Sequence, residues 1–193
     1  MKRLCIFMFG MVLFLSINGC QTDNAQSGLD GRNSAIEGGV DFPVFLAGTW
    51  KSDKNGWEIV LEKDGSISSV VHTIARVRLK PDEVTKVPMK EEGEGIFMPG
   101  EWAAYYQSKD RRLTVDITLD SFKNRKGTDI VEGSSMDTFV GSVSEDGKQW
   151  QAEWFSYPEY FVTTGEYDQY QLPEDPNENP KGVLIFSKVE QSK

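Results

Sequence analysis

The stretch "RLTVDITLD", residues 112–120, places Leu113, Val115, Ile117 and Leu119 on one side and Arg112, Thr114, Asp116, Thr118 and Asp120 on the other. Successive side chains of a pleated ribbon point to opposite faces, so a period of two marks a strand with one dry and one wet face. A helix would scatter those four aliphatic residues around its axis. Outward from this point the pattern repeats. "WEIVLE", residues 57–62, sets Trp57, Ile59 and Leu61 against Glu58 and Glu62, and "QWQAEW", residues 149–154, sets Trp150, Ala152 and Trp154 against Gln149, Gln151 and Glu153. Between such runs stand Asn55-Gly56, Asp64-Gly65, Lys109-Asp110 and Asp146-Gly147. Asn-Gly and Asp-Gly tolerate the positive φ that tight hairpins need. With "GVLIFSKVE", residues 182–190, the chain offers about eight antiparallel strands in sequence order. That predicts an all-β fold, an up-and-down barrel of about eight strands or, as the alternative, a two-sheet β-sandwich.

Residues 66–79, "SISSVVHTIARVRL", read as one long strand. Val70 and Ile74 share the even face with His72, Arg76 and Arg78, so both faces are partly apolar and a bulge or strong bend is expected there. Three segments lose the alternation and read as long loops: residues 80–100, 121–135 and 157–182.

The amino-terminal end carries an address. Lys2 and Arg3 precede "LCIFMFGMVLFLSI", residues 4–17, whose helix would be only about 21 Å long, short of the hydrocarbon core of a bilayer. A basic start and a short apolar body make a secretory signal peptide. The ending "INGC", residues 17–20, resembles the bacterial lipobox. That resemblance implies cleavage after Gly19, a thioether-linked diacylglycerol and an N-acyl chain such as palmitate on Cys20, and membrane attachment through those chains. Gln21 in place of Asp after the cysteine implies the outer membrane, on its periplasmic or surface face. Residues 1–19 are thus expected to be signal peptide, 20–40 a Gly/Ser/Asn/Gln-rich flexible tether, and 41–193 the folded domain. The remaining cysteine, Cys5, leaves with the signal, so the domain has no disulfide to rely on.

With 21 basic and 30 acidic residues, a net charge of −9, the chain repels phosphate backbones, and nucleic acid is excluded as a partner. The run "FLAGTWKSDKNGWEIVLEKDGSI", residues 45–67, carries Gly48-Thr49-Trp50, which resembles the Gly-x-Trp opening of lipocalins and related calycin barrels. That resemblance implies a lipocalin-like barrel in which Trp50 closes the floor, with Lys188 standing where the family has a covering arginine. An eight-strand barrel has interior room for its own side chains or for one small ligand. A binding role follows as the expectation, with no catalytic residues, metal or cofactor: a small apolar or amphipathic ligand held between Trp102, Tyr106 and Trp154. The alternative is a protein-interaction module, an inhibitor or envelope-assembly partner, whose aromatic loop would present Tyr157, Tyr160, Phe161, Tyr167 and Tyr170.

Enzymatic motifs are missing. There is no Gly-x-Ser-x-Gly, and the single histidine, His72, sits among arginines and reads as an ordinary surface residue. Glu166, Asp168, Glu174, Asp175 and Glu178 form an acidic stretch whose spacing fits no calcium loop, and it reads as solvated.

Overall fold

The computed structural model describes residues 42–73, 76–88, 94–126, 129–164, 167–171 and 179–190. The leader, Cys20, the tether and Glu166, Glu174, Asp175 and Glu178 of the acidic stretch therefore lie outside the described residues. A short 3-10 turn, Val44–Leu46, precedes eleven strands: β1 (Gly48–Ser52), β2 (Glu58–Leu61), β3 (Ile67–Val71), β4 (Arg78–Leu79), β5 (Thr85–Pro88), β6 (Glu94–Gln107), β7 (Arg112–Lys126), β8 (Asp129–Val143), β9 (Gln149–Thr164), β10 (Tyr167–Gln171) and β11 (Gly182–Lys188). Every ladder is antiparallel, and the wall runs β4-β3-β2-β1-β11-β9-β8-β7-β6-β5, with β10 beside the far half of β9. The two ends of that order, β4 and β5, are consecutive in the chain, so the ribbon wraps into a nearly closed up-and-down barrel. The wall has ten strands instead of about eight, and the sandwich alternative does not arise.

The extra length comes from the segments read as loops. Residues 94–100 begin β6, 121–126 and 129–135 extend β7 and β8, and 157–164 extend β9 before β10 pairs back on it. Two effects hid these strands. Bulges break the period: one extra residue of β7 is accommodated between Leu119 and Phe122, and β6 shifts between Pro99 and Trp102. Beyond them the outer face is polar and the inner face only partly covered, so the hydrophobic contrast fades.

The long strand expected at 66–79 is likewise two short ones. Its expected bend is present: residues 72, 73, 76 and 77 lie outside the ladder, the Arg76 N–H donates to His72 O at 2.7 Å, and Arg76 takes φ 52°. The hairpin signals hold, with Asn55, Gly56, Gly65 and Gly147 all at positive φ.

The floor is built around Trp50, fully buried, whose Nε1 donates to Leu46 O at 2.9 Å. Lys188 lies over its ring, 5.9 Å from the centroid, and donates from Nζ to Phe45 O. Burial holds the Lys188 amine below the ordinary lysine range. Gly48, at φ 133°, leaves the space that the Lys188 stem fills; a Cβ there would stand 2.9 Å from Cε. Above the floor Phe139 touches four rings, Trp57, Trp150, Trp154 and Phe186, at centroid separations of 4.9, 6.3, 6.4 and 5.5 Å. Aromatic side chains thus fill the lower part of the barrel. A second cluster, Leu79, Phe97, Leu119 and Phe122, occupies the storey above it.

Phe139→Ala removes the ring on which the other four converge and should cost about 3–5 kcal/mol, read as a fall in denaturant midpoint with unchanged slope. On the outer wall Glu58 is bridged by Lys51 and Arg78. Partial burial pushes its carboxyl up, but the hydrogen bonds from Arg78 and Lys51 and their charges outweigh this and leave it below 4.5. A lowered carboxylate pKa stabilises the fold above the ordinary value and loses that contribution as pH falls through the folded one. Glu58→Gln should therefore cost about 0.5 kcal/mol at pH 7 and nothing in strong acid, in unfolding curves taken across pH.

Candidate functional site

Between the two storeys lies a buried polar layer. His72 follows β3 and keeps the inward parity of Val70, at 1% exposed, and β8 contributes Asp137, also 1% exposed. His72 Nε2 stands 3.1 Å from Asp137 Oδ2, and the other carboxylate oxygen accepts from Trp154 Nε1 at 2.8 Å. The Trp57 ring meets His72 edge-on, with centroids 4.7 Å apart. Both oxygens of Asp137 are therefore occupied, as a carboxylate removed from water requires. Two polar atoms of the layer have no partner: Ser135 Oγ and Trp57 Nε1. Ser135 shares the inner face of β8 with Asp137 and is 3% exposed.

The layer is bordered above by apolar side chains that stay partly open: Val77, Val87, Trp102, Val131 and Tyr160 pack against the upper cluster without being covered. Trp102 touches both storeys and donates to Thr118 O at 2.9 Å. The layer is thus a polar level beneath an apolar cluster whose outer members stay partly exposed. Ser135 Oγ makes no hydrogen bond to His72, the contact that a serine nucleophile and its base would share.

Trp102, Tyr106 and Trp154 all face inward against the lower core. Trp154 belongs to the polar layer through Asp137, and Trp102 borders it. Tyr106 lies toward the floor, edge-on to Phe45 at 5.8 Å. The aromatic stretch after Trp154 is divided by strand parity. Tyr157 and Phe161 face outward, 41% and 54% exposed, while Tyr160 turns in to the upper cluster. Tyr167 and Tyr170 lie on β10, paired with Thr164 and Phe161. These residues form ladder, not loop, because β10 gives the far half of β9 a partner. His72, read from sequence as a surface residue, is buried; the bulge between Ile67 and Ser69 puts the even positions of β3, Val70 and then His72, on the inner face. Asp137 and Ser135 were overlooked, although counting back by two from Val143 and Phe139 puts both on the inner face.

Among the described residues, no group of three or more His, Cys, Asp or Glu side chains could hold a metal ion, and no helix is long and apolar enough to cross a membrane. Comparison with family models, with curated proteins and with solved structures finds no match for the chain.

Removing one member of a buried pair strands the other. Asp137→Ala should cost about 3–5 kcal/mol, whereas His72→Leu combined with Asp137→Leu should cost less than the two single changes added together. A double-mutant cycle by chemical denaturation measures that coupling.

Proposed function

We propose that this protein is a membrane-anchored bacterial lipoprotein whose barrel binds a small amphipathic ligand, without catalysis. The observation that carries the binding reading is the position of the polar layer. Two unpartnered polar atoms, Ser135 Oγ and Trp57 Nε1, lie beside the His72–Asp137 pair, directly below a partly open apolar wall. An unpaired buried donor or acceptor costs about 1–3 kcal/mol, which a ligand's polar group would relieve. The ligand's apolar portion would lie along Trp102, Val131, Val87 and Tyr160, each already half removed from water. The aromatic packing below leaves the ligand to the upper storey, so Tyr106 drops out of the proposed contact set.

The address rests on "LSINGC", residues 15–20. Two or three acyl chains on Cys20 would anchor the protein without a spanning helix, and the acidic domain would stay off anionic headgroups. The lipocalin-like relationship belongs to the same proposal, supported by the Gly48–Trp50–Lys188 arrangement at the floor.

The test uses the full chain extracted from membranes in mild detergent. Its intact mass should equal that of the chain from Cys20 plus a diacylglyceryl and an acyl group, and Cys20→Ser should abolish that increment. Titration with Nile red, a neutral apolar dye, should quench tryptophan fluorescence, and Val87→Lys should weaken binding about tenfold or more. An unmodified mass would end the anchoring proposal. Dye binding that ignores Val87→Lys would end the chamber proposal.

A further inference from the structure

We infer that the outer face of β6–β9 is a docking surface for a cationic, extended segment of a protein partner. Along β9 the outward positions read Glu153, Phe155, Tyr157, Glu159, a pair of rings between two carboxylates. Tyr157 stands directly opposite Met136 on β8, and the two are 41% and 43% exposed. Beside them is a shallow groove of about 470 Å³ walled by Thr118, Asp120, Ser134, Met136, Tyr157 and Glu159. Asp116 on β7 and Glu101 on β6 continue the acidic border. The apolar strip continues on the other side to Val183 of β11, which pairs with Glu153 and is 40% exposed.

The central carboxylates of this face lack the cation that several others on the barrel hold. Glu58, Glu83, Glu94, Glu132, Glu145 and Glu190 each hold a lysine or arginine. Among the described residues no lysine or arginine pairs with Glu101, Asp116, Asp120, Glu153 or Glu159; Asp116 instead accepts from Thr138 Oγ1 at 2.7 Å. Among the described side chains, the cations bordering this face are Arg112, Lys123, which is engaged with Glu132, and Lys54, which donates to Val183 O at 3.2 Å. Tyr105, lying among these acids on β6, registers the negative field: burial and then the charges of Asp116 and Glu101 raise its phenol above 10.

A partner matched to this face brings positive charge to the five unneutralised carboxylates and apolar groups to Met136, Tyr157 and Phe155. Along β9 the facing positions run carboxylate, ring, ring, carboxylate at steps of two residues, so an extended segment with Lys or Arg at its first and seventh positions and aromatic or aliphatic residues at its third and fifth presents matching groups on one face. The face spans about 20 Å along β9 and about 15–20 Å across four strands, so a partner would bury about 400 Å² per side, the size of a weak, transient contact. Micromolar affinity with strong salt dependence is the consequence.

The test titrates the nine-residue peptide Ser-Lys-Ser-Phe-Ser-Phe-Ser-Lys-Ser (the Lys/Phe peptide), labelled for fluorescence anisotropy, into the full chain in detergent, with the same peptide carrying Glu in place of Lys as control. Micromolar binding of the Lys/Phe peptide alone, weakened about tenfold by Asp120→Asn with Glu159→Gln and again by Tyr157→Ser, is the expected result. These surface substitutions should leave the circular dichroism spectrum and Nile red binding unchanged, so the outcome is separate from that of the ligand chamber. Equal binding of the two peptides, binding indifferent to the substitutions, or no binding at 1 mM would overturn the inference.

Discussion

The barrel depends on one strand serving two edges. β11 pairs with β1 through Phe186, Ser187 and Lys188, and with β9 along Gly182 to Ser187. The last described strand thus joins the first to the ninth and turns an open meander into a nearly closed wall. An open sheet would leave two long rows of unpaired N–H and C=O groups. Here the break in the wall falls between two of its shortest strands, β4 and β5. Closure also sets the floor: Lys188 reaches Trp50 and the Phe45 carbonyl only because its strand lies against β1.

Closure then decides what the interior must contain. Once the ribbon is curled, every inward position is committed to the same small volume, whatever its chemistry. The lower positions are aromatic and pack at ring distances. Higher up, β8 delivers Ser135 and Asp137 into that volume, and the continuation of β3 past Val70 delivers His72. Burying a carboxylate is unfavourable unless it is fully hydrogen-bonded, and His72 with Trp154 supplies both bonds. Of the three buried polar atoms without a partner, Ser135 Oγ and Trp57 Nε1 stand at the level where apolar packing is interrupted, and Trp150 Nε1 lies in the aromatic floor. The outer face follows the same parity rule in reverse, which is why Tyr157 and Tyr160, three residues apart, serve opposite surfaces.

The all-β class, the antiparallel meander, the hairpin positions and most of the lower core were legible in the sequence alone. Alternation and Asn-Gly or Asp-Gly turns are local signals: each follows from a pleat or a φ angle within a few residues. Trp50, Leu113, Val115, Ile117 and Trp150 needed no tertiary information to be placed inside. The extensions of β6–β9 were not legible, because bulges at Pro99–Trp102 and Leu119–Phe122 shift the period and a half-covered face weakens its contrast. The His72–Asp137 pair spans 65 positions, and no local pattern carries a distance of that kind. Only the curled sheet, by forcing side chains from separate strands into one shared interior, could bring those two residues together and leave the acidic face of β6–β9 turned to solvent.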